Sequence, residues 1–216
     1  MFVRSKTKNK MKNLFLTAIL AFGFASISSA QDKGDVEFGF NIGYNSSTVI
    51  VSNSIFQPDS GNGLNVGLAA DYYFSDRWSI KGKLIYDQKG WDNGTFEDAL
   101  GTYLTDYNLN YLTIPVMANW HFGGTRNWYL NFGPYAGFLM SAEETAGGVD
   151  VKEAFNSTDF GLAFGIGVKI PVSDKLKISL EFDGQSGFSN VFKETNGYRI
   201  TNSRGAFNIG LNFMMK

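Results

Sequence analysis

Cysteine is absent from the chain, which removes disulfide staples, thiolate metal sites and a cysteine nucleophile. Histidine occurs once, as His121, and proline only four times. An excess of one charge is also missing. Nineteen basic residues stand against 20 acidic ones in 216 residues, so nothing marks the chain as a binder of nucleic-acid phosphates. Long apolar runs are lacking too. The one almost purely apolar stretch, the 12 residues from Leu14 to Ala25, falls short of the ~20 residues that a membrane-spanning helix needs. Glycine (25) and phenylalanine (20) are abundant, which together with the scarcity of proline separates the chain from disordered tails. The length suits a single domain.

The N-terminal 30 residues read as an address. Arg4, Lys6, Lys8, Lys10 and Lys12 precede the apolar run, and Ser28-Ser29-Ala30 follow it with small residues before Gln31. Basic, apolar, small is the order of a cleaved secretory signal peptide, with Met11 an alternative start. The mature chain, residues 31–216, then holds 14 basic and 20 acidic residues, a net charge of −6.

The mature chain reads with period two, the period of strands. Phe38, Phe40, Ile42 and Tyr44 alternate with Glu37, Gly39, Asn41, Gly43 and Asn45. The same pattern restarts near Leu64, Trp78, Leu112, Trp128, Phe160, Leu176 and Phe207. Eight strands of roughly 9–15 residues result, each long enough to cross a bilayer at a tilt. One face is apolar or aromatic, and the other is Gly, Ala, Asn, Ser, Lys, Asp and Glu. Two all-β folds fit this pattern. One is an eight-stranded antiparallel up-and-down transmembrane β-barrel, apolar face outward. The other is a soluble lipocalin-like barrel, apolar face inward around a ligand.

Three features favour the membrane form. Short connections at 75–77, 123–127 and 171–175 alternate with long ones at about 46–62, 91–108, 141–158 and 187–203, the asymmetry of outer-membrane barrels. An even strand number places both termini in the periplasm. Tyr72, Phe74, Trp78, Trp120, Phe122 and Trp128 flank the short turns and form a candidate aromatic girdle. Lys81, Lys83, Asp87, Lys169, Lys177, Glu181 and Asp183 share the polar face, where mixed charges form an interior ionic network that plugs so narrow a barrel. Pro115 and Pro134 lie inside strands, where each removes a ladder bond and predicts a bulge or local break.

Tyr86 to Gly90, Leu109 to Pro115, Asn131 to Gly137, Asp159 to Gly167 and Leu180-Glu181-Phe182 together resemble the PorT-type outer-membrane β-barrel family, a group of small barrels of the OmpA/OmpX kind. The resemblance spans nearly the whole mature chain and includes both prolines. It implies an integral protein of the Gram-negative outer membrane, in contact with lipid. The family takes its name from a member associated with protein secretion, which raises a secretion or surface-complex protein as a partner. The chain ends Phe213-Met214-Met215-Lys216, so Phe213 is the nearest aromatic residue to the end-signal that many such barrels carry.

Chemistry is thinly represented. His121, beside Asn119 and a short turn, reads as an interfacial polar residue. Asp92, Glu97, Asp98, Glu143 and Glu144 read as solvated loop charge, and Asp92-Asn93-Gly94 lacks the glutamate spacing of a calcium loop. No catalytic, metal or cofactor residue is assigned. The expected function is non-enzymatic: a structural or loop-binding outer-membrane barrel, with a secretion-accessory subunit and a soluble ligand-binding barrel as alternatives. Trp91, Phe96, Tyr103 and Tyr107 are the candidate loop contacts.

Overall fold

A computed structural model of the chain describes residues 32–52, 57–98, 101–195 and 197–215. The signal segment lies outside the described residues, as do the side chains at 95–98 and 102–103, which include Phe96 and Tyr103. Eight long strands are joined edge to edge in a closed antiparallel ring. β1 (Val36–Val51) pairs on one side with β2 (Asp59–Tyr73) and on the other with β9 (Ile200–Met215). The ring continues through β3 (Trp78–Asp98), β4 (Gly101–Phe122), β5 (Trp128–Glu144), β7 (Thr158–Pro171) and β8 (Leu176–Gly187) back to β9. β6 (Val149–Asp150) only folds back on the end of β5, and one 3-10 turn spans Lys152–Ala154.

Alternation decides what faces where. Phe38, Phe40, Ile42 and Tyr44 are about half exposed, while Glu37 and Asn45 on the same strand are buried. Along the apolar band the charged side chains are inside, and most Phe, Leu, Ile and Val are outside. This overturns the lipocalin-like alternative, because a water-soluble barrel would not present a continuous apolar girth to solvent. On most strands the outward apolar residues run eight to ten positions, from Trp78 to Tyr86 or from Trp128 to Phe138. At ~3.3 Å per residue and a tilt of ~40°, that is a band roughly 20–25 Å tall, the thickness that such barrels present to lipid. Ser46, Asn62, Gln88 and Ser186 replace it at the loop end.

Two expectations need correction. The strands run from 12 to 22 residues, longer than their apolar stretches. The segment at 91–108 is not a loop, since β3 and β4 stay paired through it to Asp98↔Gly101. Beyond the bilayer both faces of a strand can be polar, so pairing continues after alternation has faded. The prolines interrupt the ladder without a bulge. β3–β4 pairing is missing between Gly82↔Val116 and Ile85↔Thr113, and β4–β5 pairing is missing between Pro115↔Tyr135 and Ala118↔Phe132, with register kept in both. Bulges occur elsewhere, at Asp92-Asn93 in β3, where Asn93 has φ +55°, and at Met140 in β5.

Two of the short turns close by side-chain capping. Ser75 Oγ accepts the Arg77 and Trp78 amides at 3.3 and 2.9 Å, and Ser173 Oγ accepts those of Lys175 and Leu176 at 3.4 and 3.2 Å. Glycines on the inner wall make room for large neighbours. A Cβ at Gly43 would strike the Asn208 and Asn65 amides, and one at Gly167 would strike the Tyr129 ring.

Candidate functional site

The barrel interior is built in tiers. Nearest the short turns, Lys169 of β7 pairs with Glu37 of β1 and with Asp71 of β2 (3.0 Å), and donates to Tyr73 Oη at 2.9 Å. Lys177 of β8 pairs with Glu37 at 3.0 Å. Asn119 Nδ2 donates to Asp71 at 2.9 Å and lies 3.1 Å from His121 Nε2, which is 3.4 Å from Ser79 Oγ. His121 is fully buried and faces inward, not at the interface as expected. The alternation that turns Trp120 and Phe122 outward turns His121 inward.

In the middle tier Glu181 of β8 pairs with Lys81 at 2.8 Å and with Lys83, and also accepts Tyr129 Oη at 2.7 Å. Asp183 pairs with Lys83 at 3.3 Å and with Arg204 of β9. Asp87 is ion-paired with Arg204, whose Nε lies 3.0 Å away, and accepts a hydrogen bond from Asn45 Nδ2 at 2.9 Å. Nearest the long loops, Asp159 of β7 gathers Lys89 (3.3 Å), Tyr135 Oη (3.0 Å) and Asn202 Nδ2 (3.0 Å). Lys89 sits 5.0 Å from the centres of both the Tyr111 and Tyr135 rings, within cation–π range.

Six buried cations thus meet six buried carboxylates across the three tiers. All seven residues expected on the polar face lie inside this network. Glu37, Asp71, Lys89, Asp159 and Arg204 complete it. Glu37 and Asp71 occupy alternating polar positions that were open to assignment. Lys89 stands at the end of its strand's alternation, and Asp159 and Arg204 adjoin segments that read as loops. Two interior cavities, of about 20 and 10 Å³, are each of the order of one water molecule.

Above the tiers the barrel is corked. Trp91 and Tyr107 are 2% and 5% exposed, and pack with Phe155, Val191, Val49 and Leu139. Their ring centres lie 4.9 Å apart, and those of Phe155 and Phe192 lie 4.5 Å apart. Phe155 and Phe192 come from different loops, bridged as paired residues and held by Asn156 N–H to Val191 O at 2.8 Å. Trp91 and Tyr107 are therefore not displayed on the loops. They occupy inward positions of strands that continue past the bilayer.

At the opposite end the aromatic residues face outward in an arc. Trp78–Trp120, Trp120–Phe122 and Phe122–Trp128 ring centres are separated by 6.3, 5.2 and 6.5 Å. Tyr72 and Phe74 are also outward and half exposed.

Two carboxylates at the loop end are perturbed in opposite senses. Burial, then the charges of Asp106 and Asp59, raises the Asp92 carboxyl above its ordinary range. The Thr105 hydroxyl, outweighing burial and assisted by the Gly147 and Ala146 amides at 2.9 and 2.8 Å, holds Glu144 below its own. Among the described residues no group of three or more His, Asp or Glu is arranged to hold a metal ion.

A closed ring of eight antiparallel strands with charges inside and an apolar girth is the architecture of an outer-membrane β-barrel. The family model described as outer membrane protein beta-barrel domain matches residues 24–193, and the chain belongs to that family. No curated relative matches it in sequence. Among solved structures it is similar to the outer membrane protein OprG from Pseudomonas aeruginosa, at 14% identity over 86% of this chain and 98% of that one, with a TM-score of 0.54. Neisserial surface protein A is similar at 17% identity over 82% and 96% (TM-score 0.48), and Ail of Yersinia pestis at 16% over 85% and 99% (TM-score 0.44). The likeness to OprG is one of fold.

Proposed function

We propose that the protein is a non-enzymatic outer-membrane barrel, closed to solutes, which acts through its loop end. The carrying observation is the interior, where ion-pair tiers and an aromatic cork leave cavities of about one water molecule each. With the centre filled in this way among the described residues, function belongs to the outer surfaces. Residues 1–30 act as a removed signal peptide, the short turns face the periplasm, and the long loops face outward. The loop end then carries a net −7, against +1 at the short-turn end. Asp59, Asp92, Glu97, Asp98, Asp106, Glu143, Glu144, Asp150, Glu153 and Glu194 lie there against Lys152, Lys193 and Arg199. A surface of that sign favours cationic partners and repels anionic ones.

The closed reading is tested by planar-bilayer recording of the purified barrel. The expected result is no unitary conductance, and reproducible single-channel steps would overturn it. A second reading, a subunit of a secretion or surface-assembly complex, draws on the PorT resemblance and on the β3–β4 arm. Beyond Asp59↔Asp92 and Tyr107↔Glu144, strands β3 and β4 pair with each other and with no third strand among the described residues. Such an arm offers edges for another chain. Purification from native membranes in mild detergent tests it. A stoichiometric partner lost on trimming the arm would favour this reading, and a lone barrel would count against it.

A further inference from the structure

The lipid-facing wall contains a groove that the closed-barrel reading leaves without a role. It lies across β9, β1, β2 and β3, has a volume of about 560 Å³, and is walled by Ile42, Tyr44, Val66, Tyr86, Phe207 and Ile209. That volume falls within the ~300–1,000 Å³ of pockets that hold small molecules. None of its lining residues is charged. Its height is set by register. Tyr44 faces Leu64 on one side and Phe207 on the other, and Val66 faces Tyr86, so the groove sits at the loop-end edge of the apolar band. One step further along the strands the outward residues are Ser46, Asn62 and Gln88. The β2–β3 ladder is irregular at the same height, between Ser60 and Asn65, and the Leu64 amide is taken by Gln88 Oε1 at 3.1 Å. Gln88 therefore lies along the strand seam at the rim.

We propose that this groove is a specific site for one acyl chain of a bilayer lipid from the loop-end leaflet, with the headgroup at the rim formed by Tyr44, Tyr86 and Gln88. Membership of the outer-membrane family puts this wall in lipid, so the site is continuous with the lipid interface. Nothing in it suits a polypeptide. β1 is paired on both sides, which leaves no open strand edge, and the walls offer no charge. A chain with an apolar body and a polar end matches apolar walls bounded at one end by two phenols and an amide.

The test is native mass spectrometry of the full mature barrel in detergent, titrated with palmitoyl-oleoyl phosphatidylethanolamine, whose net-neutral headgroup is not repelled by the acidic loop end. One retained lipid is expected on the unaltered protein. Val66→Trp and Ile209→Phe both fill the groove from the outside and should abolish retention. Leu130→Trp, outward on the distant β5, should leave it unchanged. Heat-modifiable migration on gels verifies that each variant has folded, and the two groove variants guard against failure of either one. Absence of retained lipid on the unaltered protein, equal retention in the groove variants, equal loss in Leu130→Trp, or a bound polypeptide in place of lipid would each overturn the proposal.

Discussion

Glu181 answers to four donors, the Lys81 and Lys83 ammoniums, the Tyr129 hydroxyl and the Asn131 amide. Its charge is what makes two buried lysines tolerable on one strand. Glu181→Gln keeps the shape and removes the anion, stranding Lys81 with no other carboxylate in its ion pairs and Lys83 with only Asp183. Breaking a buried pair typically costs about 3–5 kcal/mol, so urea unfolding of the barrel refolded in vesicles should show a loss of that order. The loop-end carboxylates predict opposite responses to acid. Asp92, raised in the fold, binds protons more readily folded than unfolded, so its penalty is relieved as pH falls through the carboxylate range. Glu144, lowered in the fold, contributes stability that is complete above the ordinary carboxylate range and lost as pH falls through its folded value. Hydrogen-exchange protection at Asn93 should therefore rise from neutral pH towards about pH 3, while that at Ala146 and Gly147 falls. Asp92→Asn should abolish the first response and Glu144→Gln the second.

At the scale of the strand, period two was legible because lipid on one side and a filled interior on the other impose the strictest alternation that a chain meets. It placed Ile166 outward and Ser179 inward, as the structure has them. Ile166→Arg near the middle of the β7 apolar stretch should cost about 2–4 kcal/mol. Ser179→Arg should also destabilise, because it adds an unpaired cation to a charge-balanced and filled interior. Ser179→Ala should lose only the 2.8 Å bond from Asn212, about 0.5–1.5 kcal/mol. Equal stability of all three variants in vesicle unfolding would mean that the two faces are not what alternation says. Strand ends were illegible for the opposite reason. Past Tyr86 and Leu112 the constraint from lipid lapses, and only backbone pairing tells arm from loop.

For the whole molecule, closure has two independent parts of different chemistry. The ionic tiers fill the bore within the bilayer, and the aromatic cork covers its loop-end mouth. Phe155→Asp, which breaks the cork alone, should therefore still give no unitary conductance in planar bilayers. The interior is balanced, six cations against six carboxylates, so the −6 of residues 31–216 is carried by the barrel ends, above all by the loop end. That separation suits a protein whose middle must be electrically neutral in lipid.

What the amino-acid order determined by itself was which residues share a face, since that depends only on position parity along each strand. It narrowed the fold class to two closed all-β barrels, and the structure chose between them by turning the apolar face outward. Partnership was decided by the tertiary structure. Lys169 meets Glu37 and Asp71 from strands β1 and β2, far away in sequence, and Phe155 meets Phe192 across two loops. Such contacts are set by strand register and the closing of the ring, which bring together residues that no local pattern relates.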